Sequence, residues 1–102
     1  MAACHGGDEA ACPIVTGRFY ALALRDLEAA KIDDATRRAV QAQLPAMRDS
    51  LNEICRESGW SLAVRTCLAN APDHDAFTTC EQQLTAEQRR DLDRAAAGSP
   101  AR

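Results

Sequence analysis

The stretch Val40-Gln41-Ala42-Gln43-Leu44-Pro45-Ala46-Met47-Arg48-Asp49-Ser50-Leu51-Asn52-Glu53-Ile54-Cys55 decides the fold class. Val40, Leu44, Met47, Leu51 and Ile54 recur every three or four residues, the period of one helix face and not the alternation of a strand. Asp33 or Asp34 is placed to cap this helix, with Arg37 and Arg38 one turn on. Pro45 removes a backbone hydrogen bond and crowds the preceding turn, at about 3 kcal/mol if unrelieved. The apolar period passes through Pro45 without slipping phase. One kinked helix over roughly 34–57 is therefore expected, ended by Gly59 in a left-handed cap position.

Outward from that helix the same period recurs. Upstream, Pro13 suits a first helical position. Val15, Phe19, Leu22, Ala23, Leu27 and Ala30 then form a helical stripe over roughly 14–31, widened by Tyr20 and Leu24. Gly17 weakens its first turn, since glycine costs about 1 kcal/mol in a helix interior. Downstream, Ser61 can cap a short helix carrying Val64, Cys67, Leu68 and Ala71. Asn70-Ala71-Pro72-Asp73 stops it, and Asp73 or Asp75 caps a fourth helix with Phe77, Cys80 and Leu84 on one face. Thr85-Ala86-Glu87-Gln88 reads as a capping box that opens a last helix through Leu92. The expectation is all-α: a small disulfide-stapled bundle of four to five helices built as two helical hairpins. Residues 1–12 would be a flexible tether, 13–97 a single helical domain, and 98–102 a frayed tail after Gly98-Ser99-Pro100.

Composition supports one core and limits its function. The 102 residues allow one domain, and a chain of that size is only modestly stable without staples. Alanine supplies about a fifth of the chain and aromatics 4%, so the interior must be closely packed helices of small and aliphatic residues. The net charge is −3 and no basic run stands out, which disfavours nucleic acid as a partner. No stretch reaches the roughly 18 apolar residues of a membrane span.

Five cysteines, Cys4, Cys12, Cys55, Cys67 and Cys80, are many for a reducing cytosol. Two antiparallel helices over 14–31 and 34–57 would bring Cys12 beside Cys55, and a hairpin about Pro72 would bring Cys67 beside Cys80. These pairings are favoured on that geometry. Cys12–Cys67 with Cys55–Cys80, and Cys12–Cys80 with Cys55–Cys67, remain open. Each bridge would add about 3–4 kcal/mol in the chain-entropy model. The competing reading is reduced thiols packed as small hydrophobes in a cytosolic core.

Cys4 is the odd cysteine. Met1-Ala2-Ala3-Cys4 resembles the lipobox of bacterial lipoproteins, with small residues before the thiol that receives lipid. The resemblance implies lipidation at Cys4 and a location in the periplasm or anchored to the outer membrane. It departs from the pattern in that the charged and apolar export regions are not seen ahead of Cys4. The polar run His5-Gly6-Gly7-Asp8-Glu9 suits a tether. A metal site from Cys4, His5, Asp8 and Cys12 lacks the spacing of a zinc knuckle.

Other chemistry is sparse. There is no Cys-x-x-Cys, no phosphate-binding glycine loop and no His-x-x-x-His pair. His74 between Asp73 and Asp75 could hold a metal, but a polar helix start is the plainer reading. Asp33-Asp34 and Asp91-x-Asp93 read as helix-start acids or solvated faces. Trp60 reads as a core plug beside a disulfide. No catalytic or metal-ligating residue, and no cofactor, is assigned.

Two resemblances bear on function. Cys12-x-x-Val15, Cys55, Trp60-Ser61, Arg65-x-Cys67-Leu68 and Cys80 look like small Cys-rich secreted helical proteins of myxobacterial type, which implies fold and address but no activity. Leu84-Thr85-Ala86-Glu87-Gln88 is similar to the Leu-Thr-x-x-Gln motif of the periplasmic Spy/CpxP group, whose members are stress chaperones or metal sensors. This chain has one copy of the motif where that group usually has two. The expected function is an extracytoplasmic, membrane-tethered interaction or structural module. It would be a non-enzymatic accessory subunit with a protein partner, reaching the membrane only through lipid. A Spy/CpxP-type chaperone or metal sensor is the alternative.

Overall fold

A computed structural model describes residues 10–96. Five helices make up the architecture: α1 (Cys12–Ala29), α2 (Asp34–Glu57), α3 (Leu62–Ala69), α4 (His74–Glu81) and α5 (Ala86–Ala96). α1 and α2 pair as one hairpin, and α3 and α4 as a second that lies against α1. α5 packs on α2.

α1 starts after Ala11 without a side-chain cap and carries Pro13 in its first turn. The other four helices start where side chains satisfy the orphan N–H groups of a first turn. Asp33, and not Asp34, caps α2 by accepting from Thr36 N at 2.6 Å. The Thr36 backbone N–H holds the Asp33 carboxyl below its ordinary range. Ser61 accepts from Val64 N, and Asp73 accepts from Ala76 N. The box at α5 is reciprocal: Gln88 N donates to Thr85 Oγ1 at 3.1 Å, and Thr85 N donates to Gln88 Oε1 at 3.0 Å.

α2 runs unbroken through Pro45, at the expense of one helical bond to the Gln41 carbonyl. It ends in a Schellman motif. Gly59 has φ +62°, its N–H donates to Arg56 O, and Trp60 N donates to Cys55 O. The reversal carries Trp60, 3% exposed, into the same core cluster as Cys55.

α1 has no glycine cap. Its end is held from outside, by Arg37 in the first turn of α2. Arg37 Nη1 donates to Leu27 O, and Nη2 donates to Ala30 O and Ile32 O. The guanidinium fork thereby fills carbonyls that the helix leaves open and places a cation at the negative end of its dipole.

Both favoured bridges are present: Cys12–Cys55 with Cα atoms 5.9 Å apart and Cys67–Cys80 with Cα atoms 5.7 Å apart. Around them lie Val15 and Leu22 of α1, Leu51 of α2, Val64 and Leu68 of α3, Phe77 of α4, and Ala71 and Leu84 between helices. Phe19 and Phe77 meet at 6.2 Å. Nearly all of this core lies at one end of the first hairpin. The other end is a two-helix arm in which only Leu27 and Leu44 are buried, and the molecule is correspondingly long, 47 × 31 × 23 Å.

That asymmetry corrects the sequence reading of α2. Val40 and Met47 share the apolar stripe but are each more than a third exposed. Packing also begins before α1. Ala10 is buried, and its carbonyl accepts from Arg65 Nη1 at 3.0 Å. The segment read as a tether is thus docked over its last residues, and residues 1–9 lie outside the described part.

Two predictions follow from these contacts. Replacing Cys12 and Cys55 together by Ala should cost about 4 kcal/mol, and replacing Cys67 and Cys80 about 3 kcal/mol, since the first closes 43 residues and the second 13. Urea melts of the two double variants check the order, and a larger loss for Cys67/Cys80 would contradict the chain-entropy account. Arg37→Ala should destabilise by about 1.5–3 kcal/mol, and Arg37→Lys should recover only part of it. Thermal melts of both would refute the fork's role if Lys restored full stability.

Candidate interaction site

α5 stands off the rest of the bundle enough to leave a depression on each side. The larger is a cleft of about 810 Å³ between the C-terminal half of α2 and the start of α5. It is polar. Glu53 and Glu57 of α2 face Glu87 and Asp91 of α5 across a floor that includes Ile54, and Arg94 is the one cation lining it. Asp91 is already engaged, accepting from Ser58 Oγ at 3.1 Å and forming an ion pair with Arg94. Gln88 Nε2 donates to Ser58 O at 2.9 Å and ties α5 to the end of α2. The capping residue of one helix thus anchors it to another.

The smaller depression, about 280 Å³, has a different chemistry. Phe19 of α1, Met47 and Leu51 of α2, and Leu92 of α5 give it apolar walls. His74, Thr78 and Glu81 of α4 and Asp93 of α5 supply its polar edge. Glu81 is half-buried. Burial pushes its carboxyl above the ordinary range, nearby His74 opposes the rise, and Asp93 adds to it. Among the described residues neither Glu81 nor Asp93 forms an ion pair.

The residues singled out from sequence are dispersed. Cys12, Cys55, Cys67 and Cys80 are the two staples, so the sulfur of Cys12 is not a thiolate ligand. Cys4, the lipidation candidate, lies outside the described residues, as do His5 and Asp8. Trp60 is a core plug. Its indole N–H has no hydrogen-bond partner among the described residues, and near-complete burial leaves no face for a ligand. Asp73 caps α4 and His74 follows as its first residue, while Asp75 accepts from Thr79 through its backbone carbonyl. Among the described residues no group of three or more His, Cys, Asp or Glu is arranged to hold a metal ion.

Sequence reasoning found none of the pocket. Phe19, Met47, Leu51 and Leu92 read as core positions on three separate helices, and Glu81 carried no signal of its own.

Two closed disulfides indicate an oxidising, non-cytoplasmic compartment. No described helix is long and apolar enough to cross a membrane. Comparison with protein-family models, curated proteins and solved structures finds no match to the chain.

The raised Glu81 carboxyl has a signed consequence. A group whose folded-state pKa lies above its unfolded value favours the fold below the unfolded value and loses that contribution as pH rises through the folded one. At neutral pH the half-buried charge therefore works against folding. Glu81→Gln should raise stability at neutral pH, with the gain shrinking to nothing once pH falls below the unfolded carboxyl's range. Urea titrations of both proteins at neutral and acid pH test this, and a loss at neutral pH would refute it.

Proposed function

We propose that this protein is an extracytoplasmic interaction module, a non-enzymatic accessory subunit that presents a rigid helical surface to a protein partner. It is tethered to a membrane through lipid on Cys4, in the periplasm or at the outer membrane. The observation that carries the reading is the pair of disulfides. They staple a core of Val15, Leu22, Leu51, Leu68 and Phe77 while leaving the flanks of α5 and the hairpin arm open. A staple that holds the scaffold reduces the ordering that docking would otherwise require.

Several surface features support the same reading. Ile14 and Leu62 are about half exposed, and Ile32, Val40 and Met47 exceed a third. Large apolar side chains left in water suit a surface that a partner covers. The two depressions beside α5 add acidic edges of the kind that set orientation and partner choice.

Protein made in an oxidising compartment should take one thiol label without reductant and five with it, read by intact mass after alkylation. Five labels under both conditions would remove the exported reading. The full-length gene product should carry diacylglycerol on Cys4, and a mature N-terminus elsewhere would remove the tether. A module with one dedicated partner should fail to suppress aggregation of several unrelated clients. Broad suppression at low molar ratio would favour a chaperone of the Spy/CpxP kind.

A further inference from the structure

We propose that the pocket between α1, α2, α4 and α5 receives the side chain of a lysine or arginine from a partner protein, its stem against Phe19, Met47, Leu51 and Leu92 and its cation between Glu81 and Asp93. The inference rests on the interaction-module reading and gives it a location.

The walls and the edge of this pocket ask for different things. Four apolar side chains from three helices make a surface that methylene groups can cover. At its edge stand two carboxylates, Glu81 and Asp93. Burial raises the Glu81 carboxyl above its ordinary range, with His74 opposing and Asp93 adding to the rise. Among the described residues no arginine or lysine lines the pocket. His74, exposed in the first turn of α4, is the one basic group there. Among the described residues α1 and α2 contribute only the apolar side chains Phe19, Met47 and Leu51 to the lining.

An anion entering the pocket would meet like charge. A purely apolar group would strip water from two carboxylates and give nothing in return. A cation on an apolar stem satisfies both, because it covers the walls and makes charge-assisted hydrogen bonds at the edge. Size selects the source. At about 280 Å³ the pocket falls below the range of roughly 300–1,000 Å³ typical of small-molecule sites, and suits a single long side chain. The larger acidic cleft suits this role less, since Ile54 is the one apolar side chain among its described lining residues and a methylene stem would find no walls there.

The test is a random peptide-display library panned against the oxidised full chain, followed by titration of synthetic copies of the selected peptides. The expected peptides carry a lysine or arginine flanked by apolar residues. Replacing that lysine by norleucine, which keeps the stem and removes the charge, should weaken binding about tenfold or more. Glu81→Gln with Asp93→Asn should cause a similar loss, with the near-ultraviolet spectrum and disulfide pattern unchanged. Glu53→Gln with Glu57→Gln, in the neighbouring cleft, should leave binding within about twofold. Selected peptides without a basic residue, or binding that survives the Glu81/Asp93 change, would overturn the proposal. Loss only with Glu53/Glu57 would also overturn it while leaving an interaction module that docks elsewhere. A library with no binder would remove the pocket as a docking site, whereas the thiol-labelling result would still stand on its own. Butylammonium binding as tightly as the peptides would reassign the pocket to a small amine.

Discussion

The Cys12–Cys55 bridge ties the first residue of α1 to the last turn of α2, and the remaining structure is organised around that join. It fixes which ends of the long hairpin meet. Residues 60–84 must then fold back over the joined end, because the Schellman reversal at Gly59 starts there and leads into the same core. A chain with few aromatics has limited apolar area to bury. Concentrating it around one cross-link allows Leu68, Val15 and Cys55 to lose virtually all exposure, which a core spread along the whole hairpin would not.

The same concentration leaves the arm thin. Leu27 and Leu44 are its buried contacts, with Arg48 stacked over Tyr20 at 5.1 Å and Arg37 closing the turn. Polar interactions supply at the arm what burial supplies at the stapled end. Arginine suits both tasks, since its planar group stacks on a ring in one case and forks across carbonyls in the other. Arg18 and Arg65 act similarly near the core, donating to Ala71 O and to Trp60 O. Several of the arginines are thus carbonyl clamps.

Some of this was visible in the residues. α2 was located because five apolar side chains at helical spacing outweigh one proline. The Schellman cap was visible because only a residue tolerant of positive φ suits Gly59, and the capping box because Thr and Gln three apart can serve each other's N–H groups. The pairing of Cys12 with Cys55 and of Cys67 with Cys80 followed once the helices were taken as hairpins. Each inference depends on neighbours within about one turn, or on ends that a short connection forces together.

The pocket and the exposed half of the α2 stripe were beyond such reasoning. A side chain's spacing says that it is on the apolar face. It does not say whether another helix arrives to cover that face. Leu51 is covered and Met47, one turn earlier on the same face, is more than a third exposed, although both line the same pocket. Glu81 and Asp93 are ordinary helix acids in sequence and become a charged edge only where the fold sets both on one pocket. By itself the sequence determined helices and most caps, and favoured the two staples over their rivals, since these follow from local backbone chemistry and chain connectivity. Only the tertiary structure decided which apolar residues stay in water and which carboxylates lie together, because those depend on where separately specified helices stop against one another.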